Sequence, residues 1–359
     1  MEPKTTMHPS KLYQSEQNQT DVIEKIKVLK TTLGKDLLIL THHYQRKEIV
    51  DLGDYVGDSF ALSKKAAQDE DARYIVFCGV HFMAESAAIL ARPHQTVQIP
   101  DIDAGCWMAD MLDHEMAENA LQEAKNAIGD SVIPVVYVNS DAKIKAFCGR
   151  NGGITCTSSN VSKAFRWAFE QQAKIFFFPD QHLGRNTGVS LDMDEKEMLV
   201  WQTGKPLGGH TLEALRASKI MLWDGYCLVH TRFKVDHIKK MRQDHPEAKI
   251  VVHPECPKEV VQASDAVGST SFIVQYVQSA PGGSTIAIGT EINLIKRLAI
   301  EHPDKTILAL YESLCPNMYK INLFNLLETL ENIGRSNVIT VPEDIKADAK
   351  KALDRMLHL

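Results

Sequence analysis

No two of the seven cysteines in this 359-residue chain are spaced Cys-x-x-Cys, which excludes a zinc ribbon and the local cysteine clusters of ferredoxin-like proteins. Any metal site made from these thiols must draw on distant parts of the sequence. An odd cysteine count without an export signal also speaks for reduced thiols and against a disulfide framework. No stretch reaches the roughly 18 uninterrupted apolar residues of a membrane span, and the first twenty residues, MEPKTTMHPSKLYQSEQNQT, lack an apolar signal core. A soluble cytoplasmic protein is the expectation. Long basic blocks are absent too, and 40 Lys and Arg against 46 Asp and Glu leave a formal charge of −6. Nucleic acid is therefore an unfavourable partner, and a small ligand is the expected one.

What the chain does have is 44% hydrophobic residues, enough over this length for more than one core. They fall in short apolar runs alternating with helical stretches, which predicts an α/β protein with parallel sheets covered on both faces. A long-period repeat organises the runs. Leu37–Leu40, Tyr74–Phe77 and Thr96–Ile99 are followed by Cys106; Ile133–Val138, Ala173–Phe178 and Lys219–Trp223 by Cys227; Lys249–Val252, Ser284–Ile288 and Lys305–Leu310 by Cys315. Three copies of one unit would set equivalent strand ends around a pseudo-threefold axis, where the three thiols could meet. The predicted units are residues 21–107, 108–228 and 229–317, with 318–359 returning to complete the first. That tail reads as a helix over Ile321–Ile333, a short strand at Val338–Val341 and a closing helix opened by Pro342. An insertion at Gly149–Gly153 and a polar segment from Gly184 to Gly209 lengthen the second unit, and residues before about 20 read as a frayed polar end.

In parallel α/β sheets ligands bind beyond the carboxyl ends of the strands. The first strands of the three copies end in Thr41-His42-His43-Tyr44, Tyr137-Val138-Asn139 and His253-Pro254-Glu255, offering imidazole, phenol, amide and carboxylate where a core strand would merely turn. Each copy then reaches a helix start with a hydroxyl: Ser59, Ser158 and Thr270. Helix starts attract carboxylate or phosphate through free N–H groups and a partial positive charge. Taken singly, each hydroxyl reads more simply as an N-cap; three at matching places suit a substrate with several acidic groups. The second strands exit toward Glu85, Asp180 and Glu291, read as equivalent residues that orient the Lewis-acid site or steady neighbouring loops.

The third strands lead to Cys106, Cys227 and Cys315, whereas Cys78, Cys148, Cys156 and Cys256 share no such position and read as core or loop-flanking thiols. Three thiolates can hold zinc with a water, or a [4Fe–4S] cluster with one iron free to act as a Lewis acid. Spacing alone leaves both open. His230, three residues after Cys227, reads as a substrate contact in preference to a fourth ligand. A non-catalytic iron–sulfur or zinc-binding sensor would use the same trio, although no DNA-reading motif accompanies it.

The words His42-x-Tyr44-Gln45, Gly57-Asp58-Ser59, Met83-Ala84-Glu85-Ser86, Ala104-Gly105-Cys106, Tyr137-Val138-Asn139 and Cys156-Thr157-Ser158-Ser159-Asn160 are followed by Pro179-Asp180, Cys227-x-Val229-His230, His253-Pro254-Glu255-Cys256, Gly268-Ser269-Thr270 and Gly289-Thr290-Glu291. On these ordered motifs the chain resembles the quinolinate synthase family. The resemblance implies three homologous three-layer αβα domains around a pseudo-threefold axis. It implies an enzyme of NAD biosynthesis that condenses iminosuccinate with dihydroxyacetone phosphate to quinolinate, releasing phosphate and two waters. It further implies a [4Fe–4S] cluster on Cys106, Cys227 and Cys315, with the fourth iron open to substrate. Carried over to matching positions, His42, Ser59, Tyr137, Asn139, Ser158, His253, Glu255 and Thr270 hold the substrates, and Tyr44, His230 and Glu255 transfer protons. Glu255 is the preferred general base, its pKa expected to rise toward neutrality in a closed pocket. Small molecules are the expected partners, with functional coupling to an aspartate-oxidising enzyme as a source of the imine. Cys315 lacks the Cys-x-x-Cys companion that some members carry, so thiol–disulfide regulation by that device is not expected here.

Overall fold

The computed structural model describes residues 16–359; the expected frayed end falls mostly on residues 1–15, outside the described residues. The first helix, Glu16–Leu33, begins ahead of Asp21. Thirteen strands follow among the described residues: β1 (Leu37–His42), β2 (Tyr55–Gly57), β3 (Tyr74–Cys78), β4 (Thr96–Gln98), β5 (Val132–Tyr137), β6 (Ile154–Cys156), β7 (Lys174–Phe178), β8 (Met198–Trp201), β9 (Ile220–Trp223), β10 (Lys249–Val252), β11 (Ala266–Val267), β12 (Thr285–Gly289) and β13 (Thr306–Ala309). They form three sheets, ordered β2-β1-β3-β4, β6-β5-β7-β9-β8 and β11-β10-β12-β13. Every pairing is parallel. Each sheet is flanked by helices, and the three share one strand order once the extra edge strand β8 is set aside. Expectation and structure agree on the α/β fold of three αβα units.

The central strands are continuous apolar runs because both faces are covered: all six residues of β1 are buried. Acidic and hydroxyl caps start many of the connecting helices. Asp58, Asp113, Asp141, Thr211 and Ser269 each accept a backbone N–H two or three residues inside the helix they open, satisfying donors that the first turn leaves free. In every sheet the chain runs from the inner first strand to one edge and then crosses to its other side, so the first and second long strands diverge at a switch point where ligands collect.

Buried side chains of the first sheet and of one face of the second merge into one core, from Val22 and Ile39 through Phe77 to Phe177 and Leu222, while the other face of the second sheet packs a separate core around Phe147, Phe178 and Trp223. The third sheet has two cores of its own, one around Phe233, Ile250 and Leu310, the other around Val251, Ile273 and Leu298. After Cys315 come helices Pro316–Lys320 and Leu323–Glu331, the latter against the first helix. The expected strand at Val338–Val341 is reduced to one antiparallel bridge, Val338 to Gln98, with Ile339 N donating to the Val97 carbonyl at 2.9 Å and Ile99 N to that of Asn337 at 3.1 Å. The last helix, Glu343–Leu357, has Pro342 as its N-cap and lies along helix Ala142–Arg150 of the second unit. Its approach explains Gly149: a Cβ there would sit 1.9 Å from the Asp348 carbonyl oxygen. The Gly149–Gly153 segment is the end of helix Ala142–Arg150 and the turn into β6.

Candidate active site

Beyond the carboxyl ends of the three sheets lies one cavity, lined by the three thiols and by every residue expected to bind substrate or move protons, whereas Glu85, Asp180 and Glu291 do not line it. The first unit contributes His42, Tyr44, Ser59 and Cys106; the second, Tyr137, Asn139, Ser158 and Cys227; the third, His230, His253, Glu255, Thr270 and Cys315. His42 closes β1, Tyr137 closes β5 and His253 follows β10 directly, so the same strand position delivers a polar group from each unit. The Asn139 amide oxygen is buried with no hydrogen-bond partner among the described residues, an arrangement that is costly unless a ligand or water meets it.

The seven thiols divide in two. Cys78, Cys148, Cys156 and Cys256 are fully buried, whereas Cys106, Cys227 and Cys315 are partly open and line the cavity. Burial pushes the Cys106 thiol up to about 12 and that of Cys315 to about 11, and raises Cys227 as well. The backbone works in the opposite sense. N–H groups of Ala109 and Met108 act on Cys106, that of His230 on Cys227, and those of Met318 and Asn317 on Cys315, each favouring the thiolate. Three thiols that burial keeps protonated, each met by one or two N–H donors and open to the same cavity, fit a cationic inorganic group that takes the place of their protons. Cys227, His230 and Glu255 also bring ligand-type atoms within 4.8 Å of one another, but both His230 ring nitrogens are already engaged, as described next.

Glu255 sits at the centre of a buried polar network, at 2% exposure. The Tyr137 hydroxyl donates to its Oε1 at 2.5 Å, and His230 Nδ1 lies 2.8 Å from Oε2. His230 Nε2 is 3.0 Å from Thr290 Oγ1, which is 2.7 Å from the Tyr44 hydroxyl, and Thr270 donates to that hydroxyl at 3.1 Å. In the neutral ring the N–H bonded to the carboxylate is on Nδ1, which leaves Nε2 to accept from Thr290. The residues expected to move protons, Tyr44, His230 and Glu255, are thus joined into one hydrogen-bonded chain through Thr290.

Burial pushes the Glu255 carboxyl up, but the facing imidazoles of His230 and His253 and the bonds from His230 and Tyr137 outweigh it and hold the group below the usual carboxylate range. This reverses the expected rise, because the imidazoles of His230 and His253 from the same unit, joined by Tyr137 from the second, compensate the buried charge. Burial raises Tyr44 and Tyr137 well above the ordinary phenol value, with the Glu255 charge adding to it, so both remain donors at neutral pH. His253 is lowered to about 3, chiefly by burial, and its ring stacks on His230 at 4.4 Å.

Several placements differ from expectation. Ser59 and Thr270 are the first residues inside their helices, and Ser158 precedes helix Val161–Glu170; Asp58, Asn160 and Ser269 hold the cap positions. The three hydroxyls are therefore not consumed as caps. Glu85 is not the counterpart of Asp180 and Glu291. Val80 takes that cap position in the first unit, and Glu85 lies a turn further on, accepting from Ala142 N at 3.0 Å. Glu291 accepts from Asn293 N at 2.7 Å and from Cys315 N at 3.3 Å. Thr290, Asp58 and Arg232 were not picked out. The first two sit in quoted motifs that placed attention on their neighbours, and Arg232, the one Lys or Arg lining the cavity, carries no pattern around it.

The profile of a family described as NadA, Quinolinate synthetase A protein, matches residues 24–358. A protein named quinolinate synthase from Corynebacterium glutamicum is 47% identical over 341 residues, covering 93% of this chain and 86% of that one. One of the same name from Bacillus cytotoxicus is 46% identical over 363 residues, covering 100% of this chain and 98% of its own. A third, from a Nocardioides species, is 48% identical over 353 residues, covering 94% and 89%. No helix among the described residues is long and apolar enough to cross a membrane. With the profile spanning nearly its whole length, the chain belongs to the quinolinate synthetase A family of enzymes.

Proposed function

We propose that this protein forms quinolinate by condensing iminosuccinate with dihydroxyacetone phosphate, with loss of phosphate and two waters. The observation that carries the reading is that three repeats each direct one thiol into a single cavity, whose other walls hold three helix-start hydroxyls and the Glu255 network. Cys106, Cys227 and Cys315 would hold a [4Fe–4S] cluster, which when bound supplies one iron without a protein ligand as a Lewis acid.

The chain's own residues supply the rest. Ser59, Ser158 and Thr270, beside helix starts, receive the carboxylates and the phosphate, with His42, His253, Asn139 and Tyr137 fixing their orientation. Glu255, ionised at neutral pH, accepts protons from substrate carbon and hydroxyl. Because its carboxyl is held low, it acts on protons already loosened by neighbouring charge, and His230 and Tyr137 relieve the charge it loses or gains. Tyr44, kept protonated, turns its O–H from Thr290 to donate to oxygen on the triose. Neutral His42 and His253 accept or donate single hydrogen bonds without adding a cation that would hold product.

Anaerobic turnover with an aspartate-oxidising source of the imine plus dihydroxyacetone phosphate, assayed for quinolinate, tests the reading. Quinolinate released in step with phosphate from a brown, iron-containing protein is the expected result. A colourless zinc protein, or iron-loaded protein that forms no quinolinate, would overturn it.

A further inference from the structure

Asp58 occupies a place in the cavity wall that its role as a helix cap does not account for. One carboxylate oxygen accepts from Ala61 N at 3.0 Å, which caps helix Ser59–Gln68. The other accepts two hydroxyls, Ser159 Oγ at 2.6 Å and Ser271 Oγ at 2.7 Å. Ser159 belongs to the second unit and Ser271 to the third, so one carboxylate, 6% exposed, ties the helix starts of all three units. Neither counterpart position, Asn160 or Ser269, reaches across to the other units in this way.

The tie sorts the hydroxyls. Ser159 and Ser271 are turned to Asp58 and do not line the cavity, while the residues just before them, Ser158 and Thr270, do, together with Ser59. Consecutive residues at a helix start point in different directions, so holding one fixes the other. A hydrogen bond to an ionised acceptor is shorter and stronger than a neutral one, and the negative charge is offset by the three helix starts around it.

We propose that Asp58 is a positioning residue: by binding Ser159 and Ser271 it holds Ser158 and Thr270 in register with Ser59, and so sets the geometry of the anion-receiving wall. This rests on the functional reading above. The step involves no covalent chemistry.

Asp58→Ser keeps an N-cap but has no second arm to reach the other units. The expected result is a rise in KM of about tenfold for at least one anionic substrate, as befits loss of charge-assisted bonds, with kcat and iron content changed less than about twofold. Asp58→Asn, whose amide can donate to both serine oxygens, should restore KM. Ser159→Ala with Ser271→Ala should raise KM as Asp58→Ser does, and adding both to Asp58→Ser should raise it no further. Backbone hydrogen exchange at 159–161 and 271–273 should quicken in Asp58→Ser and not in Asp58→Asn. An unchanged KM in Asp58→Ser would overturn the proposal, as would an Asp58→Asn variant no better than Asp58→Ser. If the wild-type protein forms no quinolinate, the functional reading fails by itself. The exchange comparison then decides whether the tie exists: quickening in Asp58→Ser alone upholds it, and equal rates in all variants reject it.

Discussion

The Tyr44 hydroxyl and Thr290 Oγ1 lie 2.7 Å apart, joining a residue that follows the first strand of one unit to one that follows the second strand of another. Thr290 is fully buried and also bonds His230, so it is the hydrogen-bonded link between Tyr44 and the His230–Glu255 pair among the described residues. Thr290→Val removes the hydroxyl at nearly constant volume. Its kcat should fall by about tenfold or more, as for loss of an oriented proton-transfer partner, while Thr290→Ser retains most of the activity. A Thr290→Val enzyme with normal kcat would show that the link carries nothing.

Glu255→Gln should keep the cluster and lose nearly all turnover. The amide fills the same space and can still accept from Tyr137, but it cannot take a proton, and general-base contributions run to about 10²–10⁴-fold. Quinolinate formation within a few-fold of wild type would reject Glu255 as the base.

Cys106→Ala, Cys227→Ala and Cys315→Ala should each purify without the brown chromophore, whereas Cys78→Ala and Cys148→Ala should retain it with a modest loss of stability. Iron analysis and visible absorbance decide. Glu291→Ala, which frees the Cys315 backbone N–H and the Asn293 cap, should load iron but bleach faster in air than wild type; equal bleaching rates would mean that Cys315 needs no such support. Bleaching by Cys148→Ala equal to that of Cys106→Ala would mean that the wrong trio had been chosen.

Arg232, exposed at the cavity edge, should act on substrate capture. Arg232→Gln is expected to raise KM for dihydroxyacetone phosphate by about three- to tenfold, more at low than at high salt, with kcat unchanged. Absence of any salt-dependent difference would exclude this role.

Stability should fall as pH drops below about 6.5, the ordinary histidine value. Burial is the chief cause that lowers His42 to about 3, His253 to about 3 and His43 to about 4. Between these values and about 6.5 the unfolded chain binds protons that the fold refuses, so stability rises with pH there, by at most about 1.4 kcal/mol per unit for each group. Urea midpoints at pH 7 and 5 check this. A midpoint that does not move would mean that these rings are charged in the fold.

Much of this was legible because strands buried on both faces must be apolar along their whole length: β1, β7 and β10 announce themselves, and the polar residues at their ends stand out by contrast. What escaped was set by contacts across units or by short edges. β2, β6 and β11 span two or three residues and have no run to read, and β8 lies inside a segment that is polar on either side. The lowered pKa of Glu255 is due first to the facing imidazoles of His230 and His253 and then to the bonds from His230 and from Tyr137, 118 positions away, which meet only in the fold. Asp58 looks like any helix cap until Ser159 and Ser271 are placed beside it. Glu85 misled because an acid within a few residues of a strand end resembles a cap, and the distinction between Val80 and Glu85 is one of helical turn, visible only when the helix is built.

The chain passes from the shared core of the first two units into the third just after Cys227, and leaves the third at Cys315 before the tail packs back on the first two. Both crossings of that threshold therefore carry a thiol, with Cys106 waiting on the near side. An inorganic group seated on the trio would clasp the entrance and the exit of the inserted body to its host, like a rivet through both hinges of a door. Assembly of such a centre and docking of that body would then be one event, and a protein prepared without iron should yield to a protease first within residues 229–317.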